Sequence, residues 1–362
     1  MSRKSVVVLL CLVACGGPEA AAPKPTAERT GVEMALPPRS PGTAAPSSSQ
    51  SAAPAPAQPQ APSPPDTFDV AAIDAYLTRQ IEARGFVGLS VAIVKDGALV
   101  LEKGYGRSGL GPDVPVQMDT PFLVASITKQ FVSGIVLQLA AEKKLSVDDK
   151  VAKYFPDLTR ANDITLYDLM THVSGYRDNY PLDFVDREMS QPITPDESVV
   201  RYAKQPLDFE PRTRFSYSGT GYKILGRVIE KVTGKPLGVV LGERILRPLG
   251  MAHSFYIPTP TTPGLARGYT SFALGAAEPA TPEAQGWWFG SSGLYAPAGD
   301  IARWDVAVMS GKVLGPEAYK VLRRPADSPT AVRPATAAAS SQASRAASKS
   351  FSTTAWMRVS PG

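Results

Sequence analysis

Pro121-Phe-Leu-Val-Ala-Ser126-Ile-Thr-Lys129-Gln-Phe131-Val-Ser-Gly-Ile135-Val-Leu-Gln-Leu139 is the stretch on which the fold turns. Ile127, Phe131, Ile135 and Leu139 fall on one stripe at helical spacing, which predicts a helix from about Ser126. Positions i and i+3 of a helix face the same way, so the Lys129 ammonium can approach the Ser126 hydroxyl. A serine hydroxyl is a poor nucleophile until a neighbouring base takes its proton, and a lysine does so when burial or another cation lowers its pKa. This is the only Ser-x-x-Lys in the chain, but ordinary composition yields about one in a sequence of this length. By itself the tetrad also fits a surface lysine one turn from a capping serine, so its meaning rests on what surrounds it.

Working outward, Phe68, Val70, Ile73, Leu77 and Ile81 repeat at helical spacing and predict a helix opening the segment from Asp66 to Arg84. Gly88–Val94 and Ala98–Lys103 flank Lys95-Asp96-Gly97, a hairpin signal. Leu225, Val228, Ile229 and Val232 mark a further helix closed by Gly234, and Ala296 to Val308 reads as another behind the Gly-rich turn at Gly290 to Gly293. Strands at the ends with helices between them point to an α+β fold with an antiparallel sheet, not a parallel Rossmann array. No internal repeat is present. Ninety-one residues after Ser126, Tyr217-Ser218-Gly219 stands just before the predicted helix. A phenol held near a lysine can shuttle a proton between nucleophile and leaving group.

The ends of the chain differ in kind from this middle. Of the 35 prolines, 13 fall between Gly16 and Pro65, and Pro325 to Gly362 contains 18 Ala or Ser with Asp327 as its one acid. The 259 residues from Asp66 to Arg324 have globular patterning and suffice for a sizeable core. The net charge of +5 comes from Arg3 and Lys4 and from the tail, while the middle is neutral. The excess therefore lies outside the part that folds, and a nucleic-acid partner is set aside.

Met1 to Cys15 has a basic start, an apolar run from Val6 to Val13 too short for a permanent span, and a small residue before Cys15. Leu12-Val13-Ala14-Cys15 resembles the lipobox of bacterial lipoprotein signal peptides. The implied plan is a signal peptide over 1–14, lipidation at Cys15 and a Pro/Ala/Ser-rich tether over 15–65. A folded domain over 66–324 and a low-complexity tail over 325–362 follow. Such a chain faces the periplasm or exterior of a bacterial envelope, attached by lipid to a membrane, the outer membrane being the expected one. Cleavage before Cys15 removes Cys11 and leaves no disulfide.

The middle resembles the serine β-lactamase-related family, which comprises class C β-lactamases, DD-peptidases and related esterases. The resemblance rests on Ser126-x-x-Lys129 after Pro121-Phe122, on Leu169-Met-Thr-His-Val-Ser-Gly175 and on Phe215-Ser-Tyr-Ser-Gly-Thr-Gly-Tyr222. Pro248-Leu-Gly-Met251 and Ser292-Gly-Leu-Tyr-Ala-Pro-Ala-Gly-Asp-Ile-Ala-Arg-Trp304 complete it, five pieces in family order. It implies an antiparallel sheet flanked by helices with a helical subdomain. It also implies Ser126 as the acylated nucleophile, Lys129 as its base partner, Tyr217 as the proton shuttle and Gly219 at a substrate-binding position. The expected reaction is hydrolysis of ester, amide or β-lactam and peptidoglycan-like substrates through an acyl-enzyme, with neither cofactor nor metal.

Three departures qualify this. The family's Tyr-x-Asn reads Tyr217-Ser218-Gly219, so the amide that contacts lysine and substrate is absent from its usual place. Arg212 stands where the family has Gly, which reads as a tolerated change in a turn. Nothing after Leu314 matches the strand bearing Lys-Thr-Gly or His-x-Gly that lines the site and supplies one oxyanion N–H. Lys231-Val-Thr-Gly234 has an extra residue and a helical setting. Loss of one oxyanion donor costs about two to three orders of magnitude in rate. The C-terminal strands are therefore expected to be missing, and the tail from near Leu322 reads as a frameshifted or truncated end that sequencing of the locus tests. Impaired activity follows, with a non-catalytic envelope-binding lipoprotein of the same fold as the alternative.

The remaining candidates have structural readings. His172 is expected to fix the loop before Gly175, since no Gly-x-Ser-x-Gly elbow supports an α/β-hydrolase triad. Trp287-Trp288 reads as core or rim, Asp300 as a helix N-terminal residue, and Glu142, Lys143 and Lys144 as a solvated helix face.

Overall fold

The computed structural model describes residues 6–13, 68–84, 86–179, 187–257, 262–270, 276–281, 283–324 and 354–359. Two units are distinguished, Met1–Glu19 with Val70–Gly362, and Ala20–Asp69. Of the second only 68 and 69 are described, and Cys15 and the 15–65 tether lie outside the described residues.

The strands are β1 (Val6–Val13), β2 (Gly88–Lys95), β3 (Ala98–Leu110), β4 (Asp113–Pro115), β5 (Phe122–Leu123), β6 (Phe255–Tyr256), β7 (Tyr269–Thr270), β8 (Glu278–Pro279), β9 (Leu294–Ala296) and β10 (Thr354–Val359). The helices are α1 (Val70–Arg84), α2 (Thr128–Ala141), α3 (Leu166–Met170), α4 (Pro195–Ala203), α5 (Gly219–Thr233), α6 (Leu237–Leu241), α7 (Ala298–Met309) and α8 (Pro316–Arg323). The main sheet runs β10-β1-β2-β3-β4 with every pair antiparallel, and β5-β9-β6 forms a smaller sheet. This is the expected α+β architecture.

The predicted hairpin is present. Lys95 pairs with Ala98 across Asp96 (φ 53°) and Gly97 (φ 81°), the left-handed pair that matches the twist of the strands. The register then assigns the faces. Ser90 pairs with Gly104, and Ser90 Oγ accepts the Ala298 N–H of α7. Lys103 and Tyr105, one residue to either side, therefore point the other way, and both donate to Asp74 of α1. With α1 on one face and α7 on the other, β2 is buried along almost its whole length. That double burial is why Gly88-Leu-Ser-Val-Ala-Ile-Val94 is a nearly continuous apolar run.

Two strands come from segments that the sequence reading placed outside the domain. The Val- and Leu-rich run of β1 pairs with β2 from Val6↔Lys95 to Val13↔Gly88, and β10 pairs with β1 in turn. A β-branched apolar run laid on an open sheet edge is the physical reason. One correction follows: a C-terminal strand does form. Its sequence, Thr-Ala-Trp-Met-Arg-Val, carries neither Lys-Thr-Gly nor His-x-Gly.

The core around the candidate site is made by α2, α5, α6 and α7. Phe131, Ile135 and Leu139 of α2 are completely buried with Leu225, Val228 and Ile229 of α5, and Phe131 stacks on Trp304 of α7 with centroids 4.4 Å apart. The α5 helix begins at an N-cap Ser218 and ends at Gly234 in the left-handed conformation (φ 69°), as its sequence announces. Among the described residues no helix is long and apolar enough to cross a membrane.

Candidate active site

Ser126 sits on a one-turn 3-10 segment, Ala125–Ile127, that runs straight into α2. The turn is anchored from two sides. Val124 N–H donates to Leu294 O at 2.9 Å, and Thr128 Oγ1 accepts Leu294 N–H while donating to Ala125 O. Ala125 is held at φ 45°, a left-handed conformation costly for a residue with a Cβ and found where surrounding structure imposes it. The result is an exposed Ser126 above a buried Lys129.

The three predicted catalytic residues meet. Lys129 Nζ lies 3.2 Å from Ser126 Oγ, and the Tyr217 hydroxyl donates to the same oxygen at 2.7 Å. Lys129 Nζ also donates to Ser291 O at 2.8 Å, and it lies 4.8 Å from the Tyr217 ring centroid. Burial brings its pKa down to about 7, against an opposing pull from the Asp178 carboxylate. A lysine in that state is a usable base near neutral pH. Tyr217 keeps 37 % of its surface exposed, yet desolvation pushes its phenol up, so it stays protonated and able to donate.

His172 has a larger part than the loop role expected of it. It does sit in that loop, at φ 61°. Its ring also stacks on Tyr217 (centroids 4.6 Å, planes 26° apart), and its Nδ1 accepts the Ser218 N–H at 3.1 Å. Burial, helped by the Lys129 charge, holds its pKa down to about 3, so the acceptor nitrogen stays unprotonated. The block Leu169–Gly175 carried this signal in the sequence, but the stack itself is a tertiary contact. Asp178 was also missed: its Oδ1 accepts the Gly219 N–H at 2.8 Å at the start of α5, where a carboxylate is favoured.

Gly219, the candidate substrate-binding residue, is buried at the first position of α5. A Cβ there would come within 2.5 Å of Asn179 Oδ1 and 3.1 Å of Asp178 Oδ1. Arg212 adopts φ 67°, which explains a glycine preference at this position. Its guanidinium bonds the carboxylate of Asp168, whose side chain is only 4 % exposed, at 2.7 Å. The other readings fit their places. Trp287 is core, donating to Gln191 O, and Asp300 lies in the first turn of α7, accepting from Ser254 Oγ and Arg303. Glu142 pairs with Arg244 and Lys144 at the exposed end of α2. Among the described residues no cluster of three or more His, Cys, Asp or Glu is placed to hold a metal ion.

Comparisons with known proteins identify the family. The Beta-lactamase family model matches residues 73–352, a span that reaches into the 325–362 stretch. The chain is 29 % identical over 265 residues to a D-aminopeptidase of Brucella anthropi, covering 70 % of this chain and 50 % of that protein. It is 31 % identical over 248 residues to a teichoic acid D-alanine hydrolase of Staphylococcus aureus, covering 68 % and 59 %. The chain thus spans little more than half the length of these relatives. Among solved structures, D-amino acid amidase from Ochrobactrum anthropi SV3 superposes with a TM-score of 0.60 at 26 % identity, over 68 % of this chain and 72 % of that one. With the family's fold, its Ser-x-x-Lys and its tyrosine converging on one hydroxyl, the chain belongs to the Beta-lactamase family of serine hydrolases.

Proposed function

We propose that this protein hydrolyses D-aminoacyl amides or esters through an acyl-enzyme on Ser126. One observation carries the reading: Ser126 Oγ is shared by Lys129 Nζ at 3.2 Å and the Tyr217 hydroxyl at 2.7 Å, with the Lys129 pKa near 7. Lys129 takes the Ser126 proton as Oγ bonds to the acyl carbon. Tyr217 passes a proton to the departing nitrogen or oxygen as the amide or ester bond breaks. Water, deprotonated by the same pair, then attacks the acyl-enzyme, releasing the acid and returning the proton to Oγ. Three relatives supply the substrate class, since D-aminopeptidase, teichoic acid D-alanine hydrolase and D-amino acid amidase all name a D-amino acid.

Attachment at Cys15 to the envelope by lipid, with the 15–65 stretch as tether, completes the proposal and sets the active domain near envelope polymers. A second reading, a non-catalytic envelope-binding lipoprotein, draws on the lack of Lys-Thr-Gly or His-x-Gly after Leu314. Release of D-alanine from D-alaninamide separates them. The hydrolase reading expects release by the wild type and none by Ser126→Ala; no release by the folded wild-type chain favours the binding protein.

A further inference from the structure

Buried polar atoms in folded proteins almost always have partners. Among the described residues, four buried side-chain atoms have none: Asn179 Nδ2 and Oδ1, Thr220 Oγ1 and Asp305 Oδ2. Three of the four lie at the start of α5, on Thr220 of the helix itself and on Asn179, which packs against Gly219 from the 178–179 segment, so the deficit is concentrated near Tyr217. Asn179 is the extreme case. It is 2 % exposed, and neither end of its carboxamide makes a hydrogen bond. An amide left this way carries its full desolvation cost, which a ligand offering complementary groups would offset.

The position of the carboxamide says what it serves. Asn179 Oδ1 lies 2.5 Å from the point that a Gly219 Cβ would occupy, and Ser291 Cβ lies 3.5 Å from that same point. Ser291 is the residue whose carbonyl holds Lys129, and Gly219 is two residues from Tyr217. The missing side chain at 219 thus leaves a slot that the Asn179 amide fills from a different segment. Its neighbour Asp178 has its Oδ1 engaged by the N–H groups of Gly219 and Asn179, which fixes the segment and places a negative charge alongside. An amide oxygen with an adjacent carboxylate suits a substrate nitrogen bearing hydrogens.

We propose that Asn179 binds the α-nitrogen of the substrate's acyl group, supplying from the 178–179 segment the carboxamide that position 219 lacks. The inference rests on the hydrolase reading for its choice of substrate and deepens it. It makes the site selective for acyl groups with nitrogen on the α-carbon over those without it.

The test uses D-alaninamide and propionamide, which differ only in that nitrogen, with the full-length Ser126→Ala protein so that no turnover intervenes. D-Alaninamide is expected to bind at least about fivefold more tightly than propionamide. It should also shift the Asn179 side-chain NH2 resonances in a 15N-labelled sample. Asn179→Ala should remove the preference while leaving the melting temperature unchanged or raised, because an unpartnered buried amide is removed. Asn179→Ala with Gly219→Asn should restore the preference by returning a carboxamide to the vacated slot. The proposal is overturned if D-alaninamide fails to bind, binds no better than propionamide, or binds without moving the Asn179 resonances. A fall of several degrees in melting temperature for Asn179→Ala, with no rescue by Gly219→Asn, also overturns it and assigns the residue to packing. The hydrolase reading is judged separately by D-alanine release from the wild type: no release with Asn179-dependent binding leaves a binding site without turnover, and release without such binding removes Asn179 alone.

Discussion

The His172 imidazole lies against the Tyr217 ring, with centroids 4.6 Å apart, while its Nδ1 accepts the N–H of Ser218, the residue that follows Tyr217. One side chain thereby fixes both the ring plane of the tyrosine and the backbone beside it, and so aims the phenol at Ser126 Oγ. Replacement by asparagine keeps an acceptor and tolerates the left-handed backbone but removes the stack. His172→Asn should slow acylation by about two- to tenfold, the worth of an aromatic contact expressed as a rate, with a modest loss of stability. Stopped-flow acylation and thermal melts of the two proteins check this; an unchanged rate would deny His172 any part in positioning Tyr217.

Lys129 sets the pH dependence. With its pKa brought down to about 7 by burial, the rate of Ser126 acylation should rise about tenfold per pH unit below that value and level off above it. Lys129→Ala should lower the rate by about two to four orders of magnitude and remove the inflection. Stability moves in the same direction. The unfolded chain holds the Lys129 proton up to about 10.5, so between about 7 and 10.5 it binds more protons than the folded chain, and stability gains with rising pH. His172 acts likewise at lower pH, its contribution being lost as pH falls from about 6.5 toward 3.

Arg212 combines an unfavourable backbone with a favourable contact. Arg212→Gly relieves the φ 67° conformation but loses the bond to Asp168, and the two effects should leave stability within about 1 kcal/mol. Arg212→Ala keeps the strained backbone and loses the partner, and should cost about 3 kcal/mol. Urea melts of the pair decide it; equal stabilities would show that the backbone conformation carries no cost.

The proposed lipid attachment at Cys15 predicts the N-terminus. Expressed in a bacterium that processes lipoproteins, the protein should begin at an acylated Cys15, and Cys15→Ser should abolish the lipid and release the chain from membranes. Intact-mass measurement reads both, and an unmodified N-terminus beginning elsewhere would end the lipoprotein assignment. Cleavage there also removes Val6–Val13, the strand beside β2, so the processed protein is expected to present an unpaired β2 edge.

Features set by neighbours in sequence were legible in advance. The Asp96-Gly97 hairpin, the α2 and α5 stripes with Gly234 as terminator, and the i, i+3 relation of Ser126 to Lys129 are local and survive folding unchanged. Tyr217 was placed through family resemblance, because no local rule brings residue 217 to residue 126. The groups that tune the site are legible only in three dimensions. They are the His172 ring on Tyr217, the Ser291 carbonyl on Lys129, and the Asn179 amide in the space left by Gly219. The absence of a side chain at 219 was visible in the sequence, but not that an amide 40 residues earlier occupies its place. Sheet edges were the other blind spot. Pairing of β1 with β2 depends on which edge is open, and hydrophobic run length alone does not say so.

The central claim is that Ser126 is a nucleophile activated by Lys129 and Tyr217. Its most direct test is to incubate the folded, full-length protein with a fluorophosphonate and map the adduct by peptide mass spectrometry. The expected result is one adduct on Ser126, absent in Ser126→Ala and strongly slowed in Lys129→Ala and in Tyr217→Phe. A folded protein that gains no adduct, or gains it on another residue with Ser126 untouched, would contradict the account.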